Sequence, residues 1–263
     1  MRPILSIAAT TVGEAIRRRV LLVILLIGVL FIVVAPGLGI LSARSETTVL
    51  RAFMLGVIQG VSMIIAVILT VYMIPNEIER RTIYTILSKP VQRWQFLVGK
   101  YLGAVLSLLL MMSMMSAVMG VMFFLQQQSK NPGEIADLLK GPAMYFIQMC
   151  LLAAVGIFFS TFLPPLVNFF LSIGVFLVGT FFNPLFQTLQ ENKNTAPMVK
   201  LIAQGVNTFL PNFANYNVQN PIINPTQQIQ NEGRYFLGVT VYGVVYISIL
   251  LIIGILIFDR REV

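Results

Sequence analysis

Residues 141–190 read GPAMYFIQMCLLAAVGIFFSTFLPPLVNFFLSIGVFLVGTFFNPLFQTLQ, fifty positions without one Asp, Glu, Lys or Arg. As a single α-helix this stretch would run about 75 Å at roughly 1.5 Å per residue, far beyond a hydrocarbon core of about 30 Å. Leu163-Pro164-Pro165-Leu166 stands near its middle, and two adjacent prolines break a helix. The stretch therefore predicts a hairpin of two membrane spans, 142–162 and 167–186. Four further runs, 20–43, 52–75, 101–125 and 236–258, are equally free of charge. At a span centre one Lys, Arg or Asp costs about 2.5–3.5 kcal/mol, whereas a Leu, Ile, Val or Phe returns only about 0.3–0.6. The expected fold is all-α, a polytopic membrane protein with six transmembrane helices.

Composition agrees. Of 263 residues 57% are hydrophobic and 11% charged, against about 25% charged in soluble domains. Disorder is excluded and an ordinary water-soluble domain disfavoured. Histidine is absent, which removes the commonest general base and metal ligand. The lone Cys150 cannot form an internal disulfide, a zinc cluster or a CxxC pair.

The net charge of +8 is a topology signal. With the N-terminus inside, segments 1–19, 76–100, 163–166 and 259–263 carry 11 Lys/Arg against 5 acids in 53 residues. The outer segments 44–51, 126–141 and 187–235 carry 7 against 5 in 73 residues. Basic residues favour the cytoplasmic side, so both termini are expected there. The same charges fit anionic headgroups, and nucleic-acid binding is not expected. The first uncharged run is too long for the 7–15-residue h-region of a cleaved signal peptide.

Residues 1–19 predict an interfacial helix. Leu5, Ala8, Val12, Ala15 and Ile16 recur at helical spacing, with Thr11, Glu14 and Arg18 on another face. Glu14 and Arg18 form an i,i+4 pair, and Arg17, Arg18 and Arg19 stand at the membrane edge.

The segment 75–100, PNEIERRTIYTILSKPVQRWQFLVGK, is the most informative between spans. Asn76 and Glu79 have the spacing of a capping box, and Glu77 and Glu79 precede Arg80 and Arg81 as a helix dipole prefers. Ile83, Ile86 and Leu87 make an apolar ridge, Pro90 ends the short helix, and a second helix carries Trp94 into the third span. Two readings are open from the residues alone: a docking surface for a cytoplasmic partner, or a helix resting on the inner leaflet.

On the outside, 187–235 is rich in Asn and Gln and punctuated by Pro197, Pro211, Pro221 and Pro225. It reads as a polar loop with one amphipathic helix over 198–210, available to an extracytoplasmic partner. The loop 126–141 has room for one short helix. Met111, Met112, Met114, Met115, Met119 and Met122 read as packing rather than a copper relay, because they cover several helix faces. Gly28, Gly56, Gly60, Gly103, Gly174 and Gly179 are expected to permit close helix approach.

No GxxxxGK[ST] occurs, so this chain is not expected to bind ATP or act as an enzyme. The spans hold no ionisable carboxylate or amine such as ion-coupled carriers usually keep. Energy is expected from a partner.

Glu79-Arg80-Arg81-Thr82, then Ile86-Leu87-Ser88-Lys89-Pro90-Val91-Gln92-Arg93, then Gly99-Lys100 resembles the cytoplasmic signature of ABC exporter permeases of the second type, the ABC-2 permeases. The ending Phe258-Asp259-Arg260-Arg261-Glu262 is similar to their aromatic–basic C-terminus, and Arg81 stands where many members have Gly. The resemblance implies a single transmembrane domain over 1–263 that forms half of a translocation pathway, paired with a second permease copy or a paralogue. It also implies a separate cytoplasmic ABC ATPase subunit, which would hold the ATP and magnesium; no cofactor is expected in this chain. The 77–88 helix would then be the coupling helix, docking through Glu77, Glu79, Arg80, Arg81, Thr82, Ile83, Ile86, Leu87, Ser88, Pro90 and Arg93. An alternative is a non-transporting anchor or mechanotransmission subunit of such a complex. A secondary carrier comes third.

Overall fold

The computed structural model describes residues 2–39, 46–79, 92–127, 132–182, 197–217 and 231–260. The helices are α1 (Arg2–Arg17), α2 (Arg19–Gly39), α3 (Glu46–Val71) and the short α4 (Pro75–Glu79). They are followed by α5 (Arg93–Gln127), α6 (Pro132–Ser160) and α7 (Pro165–Leu177), which continues into a π-helical turn at Val178–Phe182. After α8 (Pro197–Phe209) and a 3₁₀ turn at Ala214–Tyr216 comes α9 (Glu232–Arg260). No strand occurs among the described residues.

Five of these elements are long and apolar enough to cross a membrane: Arg19–Gly37, Val49–Glu77, Arg93–Leu125, Leu138–Ser160 and Glu232–Arg260. The expected fifth of six spans differs. Pro164 and Pro165 break the chain as expected, Pro164 adopting an extended conformation and Pro165 opening α7. From there, however, the described helix is short, with an apolar run of Pro165–Phe181. Its last turn widens to π geometry, which frees backbone groups for partners outside the helix. The helix expected in loop 126–141 is not separate either: α6 begins at Pro132 and runs through Pro142 into the span. An ion pair of Lys140 with Glu232, at 2.8 Å, ties this extension to the start of α9.

Helices α3 and α6 lie at the centre of the bundle, with Ile58, Ile65, Met149, Leu151 and Ile157 fully buried. Gly156 lets them approach closely, since a Cβ there would meet the Thr70 hydroxyl at 2.2 Å. Thr70 satisfies its own hydroxyl by donating to the Ala66 carbonyl at 2.8 Å. The methionines act as packing: Met111, Met112, Met115 and Met119 are buried in the core, while Met114 faces outward.

Helix α1 is amphipathic as expected, and the face it packs shares Ala8 and Ala15 with the expected one but is turned toward Thr11. Ala8, Thr11 and Ala15 are buried against α5, whereas Leu5 and Ile16 stay exposed. Thr11 can enter an apolar contact because its hydroxyl donates to the Ile7 carbonyl at 2.8 Å. Gly99 and Gly103 supply the room on α5: a Cβ at Gly103 would lie 2.5 Å from the Thr11 Cβ, and one at Gly99 2.9 Å from the Ile7 Cβ. The expected Glu14–Arg18 pair does not form. Helix α1 ends at Arg17, and the Arg18 carbonyl already accepts from Leu21 and Leu22 as the start of α2, so the i,i+4 geometry is lost. Gly28 does permit close approach, its Cβ position lying 2.9 Å from Val61, but Gly56, Gly60 and Gly174 face open space within the chain. Substituting Gly103→Val is expected to cost about 1–3 kcal/mol by overpacking. Limited trypsin digestion of the variant in detergent would then cut faster at Arg17–Arg19, and an unchanged rate would show that α1 does not depend on this seat.

Candidate functional site

Two constellations of polar groups interrupt the apolar bundle, one at each end. The first lies where α1, α4, the start of α5 and the end of α9 meet. Lys100 is almost wholly buried, and its Nζ donates to the Glu77 carboxylate at 2.6 Å. Glu14 of α1 approaches the same ammonium at 3.7 Å. Lys100 also lies over the ring of Phe96, 5.8 Å from its centroid. One buried cation thus joins α1, α4 and α5. Such a pair is stabilising only while both partners are present, because a buried charge left alone keeps its desolvation cost.

Seven residues before Lys100, Arg93 opens α5 and donates to the carbonyls of Phe258 and Asp259, both at 3.1 Å. Those carbonyls belong to the last turn of α9, where a cation complements the helix dipole. The Phe96 and Phe258 rings stack beside this clamp at 6.2 Å. The start of α5 is capped locally, as the Gln92 backbone N–H donates to the Gln95 side chain at 3.2 Å. The capping box expected at Asn76 and Glu79 does not start α4. Asn76 already lies within the helical run, its N–H donating to the Tyr72 carbonyl, and Pro75 occupies the first position.

Of the residues expected to dock a partner, Glu77 and Arg93 are therefore anchored in the bundle, and Glu79 is the last residue of α4. Arg80, Arg81, Thr82, Ile83, Ile86, Leu87, Ser88 and Pro90 lie outside the described residues. The described flanks bracket this segment with two clamps, Lys100 on one side and the α9 carbonyls on the other.

The second constellation went unpredicted. Residues 211–217, PNFANYN, belong to the segment read as a polar loop, yet Phe213 and Tyr216 are fully buried and Asn217 nearly so. They form a plug in the bundle end opposite α1. The Phe213 N–H donates to the Gly179 carbonyl of the π turn at 3.1 Å. Inside, Gln148 donates to the Phe213 carbonyl at 2.9 Å, Gln59 donates to Gln148 at 3.1 Å, and Asn217 donates to Gln59 at 3.4 Å. The Tyr145 hydroxyl completes the chain by donating to the Asn217 side chain at 2.6 Å.

Tyr216 donates to the Val239 carbonyl at 3.2 Å. Gly179 and Gly243 make the space. A Cβ at Gly179 would meet the Pro211 carbonyl oxygen at 2.5 Å, and one at Gly243 would meet the Tyr216 hydroxyl at 2.6 Å. Gln59 and Gln148 each lie twelve residues, about 18 Å at 1.5 Å per residue, from the helix ends Val71 and Ser160. Gln59 and Gln148 also stand ten residues inside the other ends, Val49 and Leu138, of these membrane-length segments, and non-helical backbone that meets a span's interior is tolerated only inside protein. A charge-based reading passes over these residues because all are neutral. The available signal was that Gln59 and Gln148 are the sole amide side chains of their spans.

No group of His, Cys, Asp and Glu suited to a metal ion occurs among the described residues. Together, the membrane-length helices, the charges gathered at the two ends and the neutral amides in the interior define a polytopic α-helical membrane subunit. The chain belongs to the ABC-2 family transporter proteins, whose sequence pattern it matches over residues 5–263, and is accordingly an integral membrane permease of an ABC transporter. Association with an ABC ATPase and with the membrane follows from the family. No curated protein matches the chain.

Proposed function

We propose that this permease forms half of an exporter pathway, paired with a second copy or a paralogue and driven by a separate ATPase that binds segment 77–93. Both termini and this segment face the cytoplasm of a bacterial cell in this reading, and Pro165–Phe182 serves as a short fifth span of six. ATP and magnesium are held by the partner, and the chain itself catalyses no hydrolysis. The supporting observation is the pair of clamps around the segment. Glu77 is held by Lys100 and Arg93 by the last carbonyls of α9. A displacement applied between them is delivered to α1, α5 and α9 together, as a rigid-body switch requires. In this reading Ile83, Ile86 and Leu87 pack on the ATPase, while Glu79, Arg80, Arg81 and Thr82 set the register, with Ser88 and Pro90 ending the helix.

Purification in mild detergent tests this. A Walker-type ATPase is expected to co-elute with the wild type, and Glu79→Arg or Leu87→Asp is expected to release it. Failure of the intact protein to retain an ATPase, with both variants eluting like the wild type, would refute the reading. The plug keeps a second reading in play, a mechanotransmission subunit, because it joins the outer segment 187–235 to α3 and α6. Deleting part of 187–210 separates the two: transport that persists while an outer partner is lost speaks against the anchor.

A further inference from the structure

Two cavities at the α1 end have no role in the docking described above. The first, of about 360 Å³, lies between α1, the end of α3 and α4 and is lined by Thr11, Glu14, Arg17, Arg18, Asn76 and Glu77, among others. The second, of about 610 Å³, is an apolar groove between the starts of α2 and α7 and the end of α3. Leu21, Ile68, Tyr72, Leu166 and Phe169 line it, with Arg18 and Arg19 at its mouth. Both fall in the range of about 300–1,000 Å³ typical of ligand clefts. They share Arg18, so a polar chamber and an apolar channel meet at a guanidinium.

The charges favour an anion. Glu14 and Glu77 are both engaged with Lys100 behind the chamber. No ion pair holds Arg17, Arg18 or Arg19 among the described residues. An arginine presents a planar fork of donors matched to phosphate oxygens, and it stands here at the end of a span, at headgroup depth. An amphiphile with a phosphate between a polar head and an apolar tail satisfies both cavities at once. A free anion leaves the groove empty, and a neutral lipid leaves two arginines unpaired.

We propose that these cavities form a site for one anionic glycerophospholipid. Its phosphodiester lies between Arg18 and Arg19, its headgroup enters the chamber toward Asn76, and the start of one acyl chain lies against Leu21, Ile68 and Phe169. The lipid joins the α1–α2 turn to α7, two elements between which no hydrogen bond or ion pair occurs among the described residues. The proposal requires that the chain span a membrane, and it is independent of ATPase coupling.

Native mass spectrometry of the full chain, released from nanodiscs of equal phosphatidylglycerol and phosphatidylcholine, tests it. One phosphatidylglycerol per chain is expected to survive detergent that strips phosphatidylcholine. The double variant Arg18→Gln/Arg19→Gln is expected to lower this retention about thirtyfold, the attraction of two surface basic residues. Leu166→Trp, which narrows the groove and leaves the arginines in place, is expected to weaken retention too. Equal retention of both lipids by the wild type would mean an unselective annulus and overturn the proposal, whether or not the variants fold. Displacement of the lipid by millimolar inorganic phosphate would overturn it in favour of a free-anion site, and full retention by a folded double variant would overturn it as well.

Discussion

Lys100→Met is expected to be the most damaging single substitution at the α1 end, lowering stability by about 3–5 kcal/mol, the usual cost of removing one partner from a buried ion pair. Methionine keeps most of the side-chain length and apolar stem, so packing against Phe96 changes little. What it removes is the cation that Glu77 accepts from at 2.6 Å, while Glu77 itself has only 14% of its side chain exposed. Glu14, half exposed, can turn to water and contributes far less. Glu77→Gln is expected to produce a comparable loss, because Lys100 has only 4% of its side chain exposed.

The decisive measurement is the double variant Lys100→Met/Glu77→Gln. Removing both charges spares the bundle an unpaired buried ion, so thermal unfolding in detergent should recover most of the lost stability, with strong non-additivity across the cycle. Within the proposed mechanism a second readout separates stability from transmission. The double variant is expected to retain the ATPase on purification but to lose the coupling of ATP hydrolysis to transport, since α1 and α5 are no longer tied to α4. Additive single effects, each below about 0.5 kcal/mol, would mean that the pair is solvated and not a structural tie.

The second large effect is expected at the opposite end. Gly179→Ala sets a methyl group 2.5 Å from the Pro211 carbonyl oxygen and 2.6 Å from the Phe213 ring. The first contact is with backbone, which cannot swing aside as the tip of a flexible chain would. The methyl group and the plug therefore compete for one volume. Overpacking costs about 1–3 kcal/mol. If the plug withdraws instead, Gln148 and Asn217 lose their partners, and each unsatisfied buried group adds about 1–3 kcal/mol.

Either way the plug is loosened relative to the rest of the bundle. Hydrogen exchange is the direct probe, because the amides of Phe213, Tyr216 and Asn217 are all hydrogen-bonded in the closed plug. A loss of about 2 kcal/mol raises their exchange roughly thirtyfold, while amides in the centre of α3 and α6 should change much less. Unaltered exchange over 212–217 would show that the plug does not rely on the Gly179 seat.

The two ends differ in how far they could be read in advance. At the α1 end the residue types announce themselves. Charges do not enter spans without cause, so Glu77, Arg93 and Lys100 were conspicuous as part of a charged cluster between the uncharged runs 52–75 and 101–125, and the amphipathic period of 2–17 was plain. Their partners were not legible. Lys100 selects Glu77 and Glu14, from elements 23 and 86 positions away, because α1 folds back onto Gly99 and Gly103. A local i,i+4 rule assigned Glu14 to Arg18 and failed when the helix ended one residue too soon. The proline pair at 164–165 was read correctly, since a missing N–H acts locally and needs no neighbour.

The plug shows the opposite case. Nothing in PNFANYN distinguishes it from an ordinary outer loop, and the segment is rich in turn-forming residues. Its burial depends on groups supplied by Gln59, Tyr145, Gln148, Gly179, Val239 and Gly243, which come from four different helices or turns. By itself the sequence determined the all-helical membrane class, the break at Pro164-Pro165 and the exclusion of charge from the apolar runs, because solvation and backbone sterics act residue by residue. Tertiary structure alone decided which groove receives α1, which carboxylates meet Lys100 and that residues 211–217 are drawn into the core. Those outcomes depend on filling space and pairing polar groups between elements distant in the chain, and no local pattern carries that information.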